Sequence, residues 1–141
     1  MMQTCPNCFW QYNQELGLCP HCGFAPGDSP QEPNCLPPGY MLDGRFSIGL
    51  TEHILPWGIC YKALDTVEQR LVSVWEFFPP NLAYRTEAGG IGREPQQKDL
   101  FDWEKRGFSA RCKFLSSQSL LSFPKVLFTF SANNTEYAVT E

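Results

Sequence analysis

Four cysteines near the start of the sequence form two pairs, and two residues separate the members of each pair. A gap of this length lets one tight turn present both thiolates to the same metal ion. Zn²⁺ prefers four such soft ligands in a tetrahedron, with bonds of about 2.3 Å. The spacing therefore predicts a zinc ribbon over residues 5–22, with one Zn²⁺ held by Cys5, Cys8, Cys19 and Cys22.

The predicted ion is structural, because four cysteines leave no open position for water or substrate. His21 lies inside the second pair, and we interpret it as a turn residue and not as a ligand. Two disulfides are an alternative, which a reducing compartment disfavours. A thioredoxin-like redox pair is another, but no β-α-β pattern surrounds either pair.

Composition and charge restrict the classes of partner. The chain has 141 residues, 43% of them hydrophobic, and a formal net charge of −4. No Lys or Arg precedes Arg45, so the ribbon lacks the basic face that nucleic acid requires. Apolar runs are too short to span a bilayer, and the first residues do not form a secretory signal. We therefore expect no nucleic acid, no membrane and a cytoplasmic location.

The chain divides into three regions. Residues 1–25 form the predicted ribbon, residues 26–38 a proline-rich linker, and residues 39–141 a larger α+β domain. In this domain the patterns predict a five-stranded antiparallel sheet and one helix, with a long loop at 81–97. The predicted strands cover 45–50, 58–65, 71–78, 125–131 and 136–140. The predicted helix covers 99–117, with apolar residues at Leu100, Trp103, Phe108, Cys112 and Leu115.

No single segment of this domain identifies a family, but four segments in a particular order are specific. They read LPPGYMLDGRFSIG, GICYKALD, VSVWEFFPPNLAYR and FTFSANNTEYAVTE. Together they resemble the N-terminal lobe of bacterial Ser/Thr protein kinases of the eukaryotic type, over about residues 36–141. The resemblance is greatest to a group in which a zinc ribbon precedes the kinase domain. It implies a kinase-like N-lobe that ends at the gatekeeper and first hinge positions, Thr140 and Glu141.

The departures from this family's pattern concern its ATP-binding residues. In the glycine-rich loop, which covers the phosphates, His53 and Leu55 stand where the family has glycine, and only Gly58 remains. Trp75 stands at the position of the lysine that contacts ATP. The glutamate partner of that lysine falls on Arg111, and no Asp or Glu occurs from residue 105 to 135. The resemblance therefore implies a degenerate, pseudokinase-like lobe.

We accordingly expect a chain that is not an enzyme. The catalytic and Mg²⁺-binding aspartates of the family belong to the C-terminal lobe, which follows the matched positions. The expected function is that of a protein-interaction or regulatory module, with a protein partner or with self-association. The alternative is a degenerate nucleotide sensor that binds ATP without phosphate transfer, but the changes at Trp75 and in the glycine-rich loop make ATP an unlikely ligand.

Overall fold

The computed structural model describes residues 1–25, 34–117 and 125–141. The first residues of the predicted linker, 26–33, lie outside this part. Within these ranges, two 3₁₀ turns occur, at Gln14–Leu16 and Pro95–Gln97. The strands and the helix are β1 (Met2–Thr4), β2 (Gln11–Asn13), β3 (Met41–Leu42), β4 (Phe46–Leu55), β5 (Gly58–Asp65), β6 (Arg70–Phe77), β7 (Tyr84–Arg85), β8 (Ile91–Gly92), α1 (Lys98–Ser116), β9 (Val126–Ala132) and β10 (Thr135–Thr140).

The main sheet has six strands in the order β3-β4-β5-β6-β10-β9, and all neighbouring strands are antiparallel. The prediction of five strands is therefore wrong by one. The additional strand, β3, has only two residues and pairs with the start of β4. Asp43, Gly44 and Arg45 connect the two strands, and Asp43 and Gly44 have φ values of 54° and 64°. An Asp-Gly pair with both residues in this conformation is typical of a hairpin turn, and the Arg45 N–H closes it by donating to the Leu42 carbonyl oxygen at 3.0 Å.

Two further features differ from the prediction by more than one residue. β4 continues to Leu55, five residues beyond its predicted end, and accommodates register shifts on both sides of Thr51. The predicted loop at 81–97 contains a small antiparallel hairpin of β7 and β8. The Arg85 guanidinium closes this hairpin, because it donates a hydrogen bond of 2.9 Å to the carbonyl oxygen of Gly89.

The helix and the last hairpin agree with the sequence patterns. α1 is within one residue of its predicted bounds and buries Phe101, Phe108 and Cys112. Asn133 and Asn134 form the turn between β9 and β10, with φ values of 52° and 65°. Two residues of the predicted apolar set of the helix, Leu100 and Trp103, are instead 48% and 65% exposed, because they lie on an adjoining side of the helix.

The curled sheet encloses the main hydrophobic core. Alternate residues of the central strands point into it, as period-two burial requires. Tyr61, Ala63 and Val74 are each fully buried there. Leu36, near the end of the predicted linker, is 2% exposed and belongs to the same core. In the described residues, no helix combines the length and the apolar character needed to cross a membrane.

Candidate functional site

The four predicted zinc ligands lie together in the N-terminal module. Their Sγ atoms are all within 4.8 Å of one another. The Sγ atoms of Cys5 and Cys22 are 3.6 Å apart, and those of Cys8 and Cys19 are 3.7 Å apart. A tetrahedron with metal–sulfur bonds of about 2.3 Å has edges of about 3.8 Å, whereas a disulfide joins its sulfurs at about 2.05 Å. The cluster could therefore hold a metal ion, and its cysteines form no disulfide.

Each cysteine pair is closed by a residue with left-handed backbone just after the second cysteine. Phe9, with φ 64°, donates its N–H to the Cys5 carbonyl oxygen at 2.8 Å. Gly23, with φ 84°, does the same to Cys19 at 2.7 Å. Glycine takes this conformation without cost, whereas a residue with a Cβ is strained by about 1–2 kcal/mol. The backbone of both turns therefore aims the two thiols of each pair at one point.

Asn7 adds polar support to the cysteine cluster. Its side-chain N–H donates to the Cys22 Sγ at 3.5 Å, and its backbone N–H donates to the Cys5 Sγ at 3.4 Å. The side-chain hydrogen bond from Asn7 lowers the pKa of Cys22 to about 6. Burial instead raises the pKa of Cys5 and of Cys8. Because a metal binds thiolates, ion binding to this cluster must release protons.

The aromatic residues of the module divide between its interior and its surface. Tyr12 is 3% exposed and packs against Cys5 and Cys19. Trp10 is 54% exposed and stacks on the His21 ring at a centroid distance of 4.4 Å. His21 is therefore a stacking residue of the turn and does not belong to the sulfur cluster.

The first cysteine turn is docked on the main sheet. The Pro6 carbonyl oxygen accepts a 2.9 Å hydrogen bond from the Leu50 backbone N–H. Lys62 Nζ donates to Asn7 Oδ1 at 2.7 Å. A Cβ built at Gly49 would lie 2.3 Å from the Pro6 oxygen, so the close approach requires glycine there. The module is thus positioned by specific contacts with β4 and β5.

These contacts place the module on the sheet face that carries Trp75. Side chains two residues apart in a strand share a face. Lys62 and Cys60 therefore lie on one face of β5. Across the strands, Lys62 pairs with Ser73 and Cys60 pairs with Trp75. Lys62 could be considered a substitute for the lysine that Trp75 replaces. Its ammonium group, however, is bonded to Asn7 of the docked module.

The residues that match the glycine-rich loop form a closed hairpin end. His53 pairs with Cys60, and Leu55 pairs with Gly58, so only Pro56 and Trp57 turn the chain. A Cβ at Gly58 would lie 2.2 Å from the Glu76 carbonyl oxygen, which gives this glycine a packing role. Pro56 has no N–H to donate. The turn therefore offers a phosphate group very few free backbone donors.

Trp75 is held inside a row of aromatic rings. Its ring centroid lies 6.3 Å from that of His53 and 6.1 Å from that of Trp57. The Trp57 centroid lies 5.4 Å from that of Phe108 in α1. The Trp75 Nε1–H donates a 2.9 Å hydrogen bond to Thr140 Oγ1. This bond fixes the indole, because an indole N–H can only donate and here it has a defined acceptor.

Arg111 lies on α1 and is exposed. It lines a cavity together with Trp57, Phe77 and Trp103. Within the described ranges, no Asp or Glu makes an ion pair with Arg111. The structure therefore shows neither a cation at position 75 nor an acid at position 111.

A buried polar cluster was missed by the sequence analysis. Glu76 is fully buried and accepts hydrogen bonds from the hydroxyl groups of Tyr61 at 2.8 Å and Tyr137 at 2.6 Å. The Arg85 guanidinium pairs with both Glu76 carboxylate oxygens. Burial raises the pKa of both tyrosines. For Arg85, burial alone would lower the pKa, but the hydrogen bond and the charge of Glu76 raise it. A glutamate at an inward position of a strand, with an arginine nine residues later, is the pattern that could have indicated this pair.

The fold is similar to that of a solved structure, PpkA-294 in its apo form, a fragment of a bacterial Ser/Thr kinase. The TM-score is 0.73 and the sequence identity is 28%. The match covers 77% of this chain but only 38% of that chain. No protein-family model matches the sequence, and no curated protein matches it. The six-stranded sheet and α1 thus fit a kinase-like N-lobe, joined to a cysteine cluster that could bind a metal ion.

Proposed function

We propose that this chain is a non-catalytic, kinase-like N-lobe that acts as a protein-interaction or regulatory module. The observation that carries this proposal is the position of Trp75 in the row of rings between His53 and Trp57. In the resembled kinases the corresponding residue is a lysine that contacts ATP. Here an indole fills that space and donates its N–H to Thr140.

The surroundings of Trp75 also support a lobe that does not bind nucleotide. A phosphate needs positive charge or several backbone N–H donors. On the sheet face that carries Trp75, the cationic group of Lys62 is bonded to Asn7, and the Pro56–Trp57 turn is closed by strand pairing on both sides. Ser73, on the same sheet face, donates a hydrogen bond of 3.1 Å to Glu52 Oε1, which places an acidic group beside this space. That negative charge would repel phosphate.

We further propose that the cysteine cluster binds a structural Zn²⁺ through Cys5, Cys8, Cys19 and Cys22. When bound, the ion supplies folding free energy, because it joins the two cysteine turns of a module with only three residues in its buried core. The four-sulfur donor set is typical of structural zinc. The zinc-bound module would then present its first turn to the sheet in the docked position.

The test combines nucleotide binding with phosphate transfer. A ligand at one hundred times its Kd stabilises a folded protein by about 2.7 kcal/mol, which raises Tm measurably. We expect millimolar ATP with Mg²⁺ to leave Tm unchanged. Trp75→Lys restores one missing group only, and we expect neither this variant nor the original chain to transfer radiolabelled phosphate to a generic protein substrate. A saturable rise in Tm would instead support the nucleotide-sensor alternative, and transferred phosphate would disprove the non-catalytic proposal.

A further inference from the structure

α1 carries an exposed apolar stripe that the hydrophobic core does not use. Leu100, Trp103 and Phe114 are 48%, 65% and 61% exposed. Their spacing of three and eleven residues places them on one side of the helix, together with Gly107 and Arg111. The buried residues of α1 lie on a different side. A tryptophan and a phenylalanine exposed on one stripe are typical of a binding surface.

A cavity adjoins this stripe. It has a volume of about 570 Å³ and lies between the β4–β5 turn, the end of β6 and α1. Trp57 and Phe77 form the wall from the sheet, and Trp103 forms the wall from the helix. Ligand pockets typically have volumes of about 300–1,000 Å³, so this cavity is large enough to admit an aromatic side chain. We call the cavity and the adjoining stripe the helix groove.

Gly107 shapes the base of the helix groove. A Cβ at this position would lie 3.3 Å from an Arg111 guanidinium nitrogen. The missing side chain therefore lets the guanidinium lie across the helix backbone, beside the cavity. Glycine within a helix costs about 1 kcal/mol relative to alanine. Here it leaves room for the Arg111 guanidinium beside the aromatic walls of the cavity.

The helix groove is basic although the whole chain is acidic. Arg106 and Arg111 both line the cavity, and no Asp or Glu occurs from residue 105 to 135. Glu104 lines the cavity as well, but in the described ranges neither Arg106 nor Arg111 has an ion-pair partner. The net charge of the chain is −4, so this surface is a local exception. Two arginines without carboxylate partners beside exposed aromatic rings favour an acidic ligand that also has an apolar side chain.

We propose that the helix groove binds an acidic segment of a partner protein, which inserts one aromatic side chain between Trp57 and Trp103 and pairs its carboxylates with Arg106 and Arg111. This inference rests on the proposed interaction function and names the surface and the partner chemistry. Tryptophan and arginine dominate the binding energy of many interfaces. The charge component should weaken as salt is added, because these arginines are exposed.

The probe is a fluorescein-labelled peptide with one tryptophan flanked by glutamates on both sides. Its counterpart has lysine in place of every glutamate. We expect saturable fluorescence anisotropy with the acidic peptide only, weakened by salt. R106A/R111A and Trp103→Ala should each weaken binding roughly tenfold or more. Arg70→Ala is the matched control, because Arg70 is an exposed arginine at the opposite end of β6 from Phe77, and its removal should leave binding unchanged.

Several results would overturn the inference. Equal binding of both peptides, binding that R106A/R111A leaves intact, or no binding at millimolar peptide would each do so. A dimer detected by sedimentation that Trp103→Ala dissociates, without peptide binding, would show that the groove accepts a second copy of this chain instead. ATP is titrated into the same samples. ATP binding would count against the proposed function, whereas peptide failure without ATP binding would remove only the helix-groove inference.

Discussion

At the scale of single residues, the two polar clusters of this chain stabilise it in different ways. The cysteine cluster arranges four thiols around one point, where a metal ion can join them. The cluster around Glu76 instead satisfies a buried carboxylate with two hydroxyl groups and a guanidinium. In each cluster, removal of one member leaves the remaining polar or charged groups without a partner inside the protein.

Cys19→Ala tests the metal cluster. Because the zinc ion loses one of its four ligands, we expect the purified protein to lose its zinc and residues 1–25 to unfold. The main sheet should remain folded, because its hydrophobic core is separate from that of the module. Zinc content and NMR spectra measure the two effects. Cys112→Ala, outside the cluster, should keep the full zinc content, and a Cys19→Ala protein with stoichiometric zinc would refute the four-ligand assignment.

Arg85→Ala tests the buried polar cluster. Removal of one partner from a buried ion pair costs about 3–5 kcal/mol, because the remaining charge is uncompensated. Glu76 is fully buried, so we expect a loss of unfolding free energy in this range, measured by urea denaturation. Arg70→Ala breaks the exposed pair with Glu141 and should cost about 1 kcal/mol or less. Equal losses in the two variants would contradict a special role for the Glu76 cluster.

At the scale of elements, the N-terminal module and the sheet are coupled through one turn. Pro6 accepts from Leu50, and Asn7 accepts from Lys62. These contacts do not reach the main hydrophobic core, whose residues lie on the inner side of the curled sheet. Metal binding should therefore stabilise the part of β4 that contacts the module, and it should leave the packing of the hydrophobic core unchanged.

Amide hydrogen exchange tests this coupling. The Leu50 N–H is protected by the Pro6 carbonyl oxygen of the module, whereas the Ile48 N–H is protected by the Tyr40 carbonyl oxygen of the lobe. After removal of zinc by a chelator, we expect Leu50 to exchange much faster, because its acceptor lies in the unfolded module. Ile48 is the internal control and should keep its protection. Unchanged exchange at Leu50 would show that the docked turn does not depend on the metal.

The sequence predicted those features that depend on neighbouring residues. The cysteine spacing indicated the metal cluster, and the Asn133–Asn134 turn and the bounds of β5 follow from local patterns. β3 was missed because two residues are too few for a periodic pattern, although the Asp43-Gly44 turn indicates it. The Glu76 cluster was missed because Tyr137 meets Glu76 only through the pairing of β6 with β10. The docking of Asn7 on Lys62 likewise depends on contacts between residues distant in sequence.

At the scale of the whole molecule, the chain fits a kinase-like N-lobe, and we propose that other groups occupy the space that nucleotide takes in the resembled kinases. Trp75 fills the sheet face beneath the β4–β5 turn, and the module is docked on the same face near Lys62. The exposed aromatic stripe and the arginines of α1 form a different surface, which is accessible to solvent. We therefore propose that the chain combines a closed nucleotide site with a surface suited to protein contacts.

The most direct measurement is an NMR titration of the zinc-loaded protein with ATP and Mg²⁺, in which the indole N–H signal of Trp75 is followed. This N–H is bonded to Thr140 and lies in the space in question. We expect that the Trp75 signal and the backbone signals of Ser73 and Thr140 do not move at millimolar ATP. Saturable shifts of these three signals would show that nucleotide enters the site and would contradict the proposed closed nucleotide site.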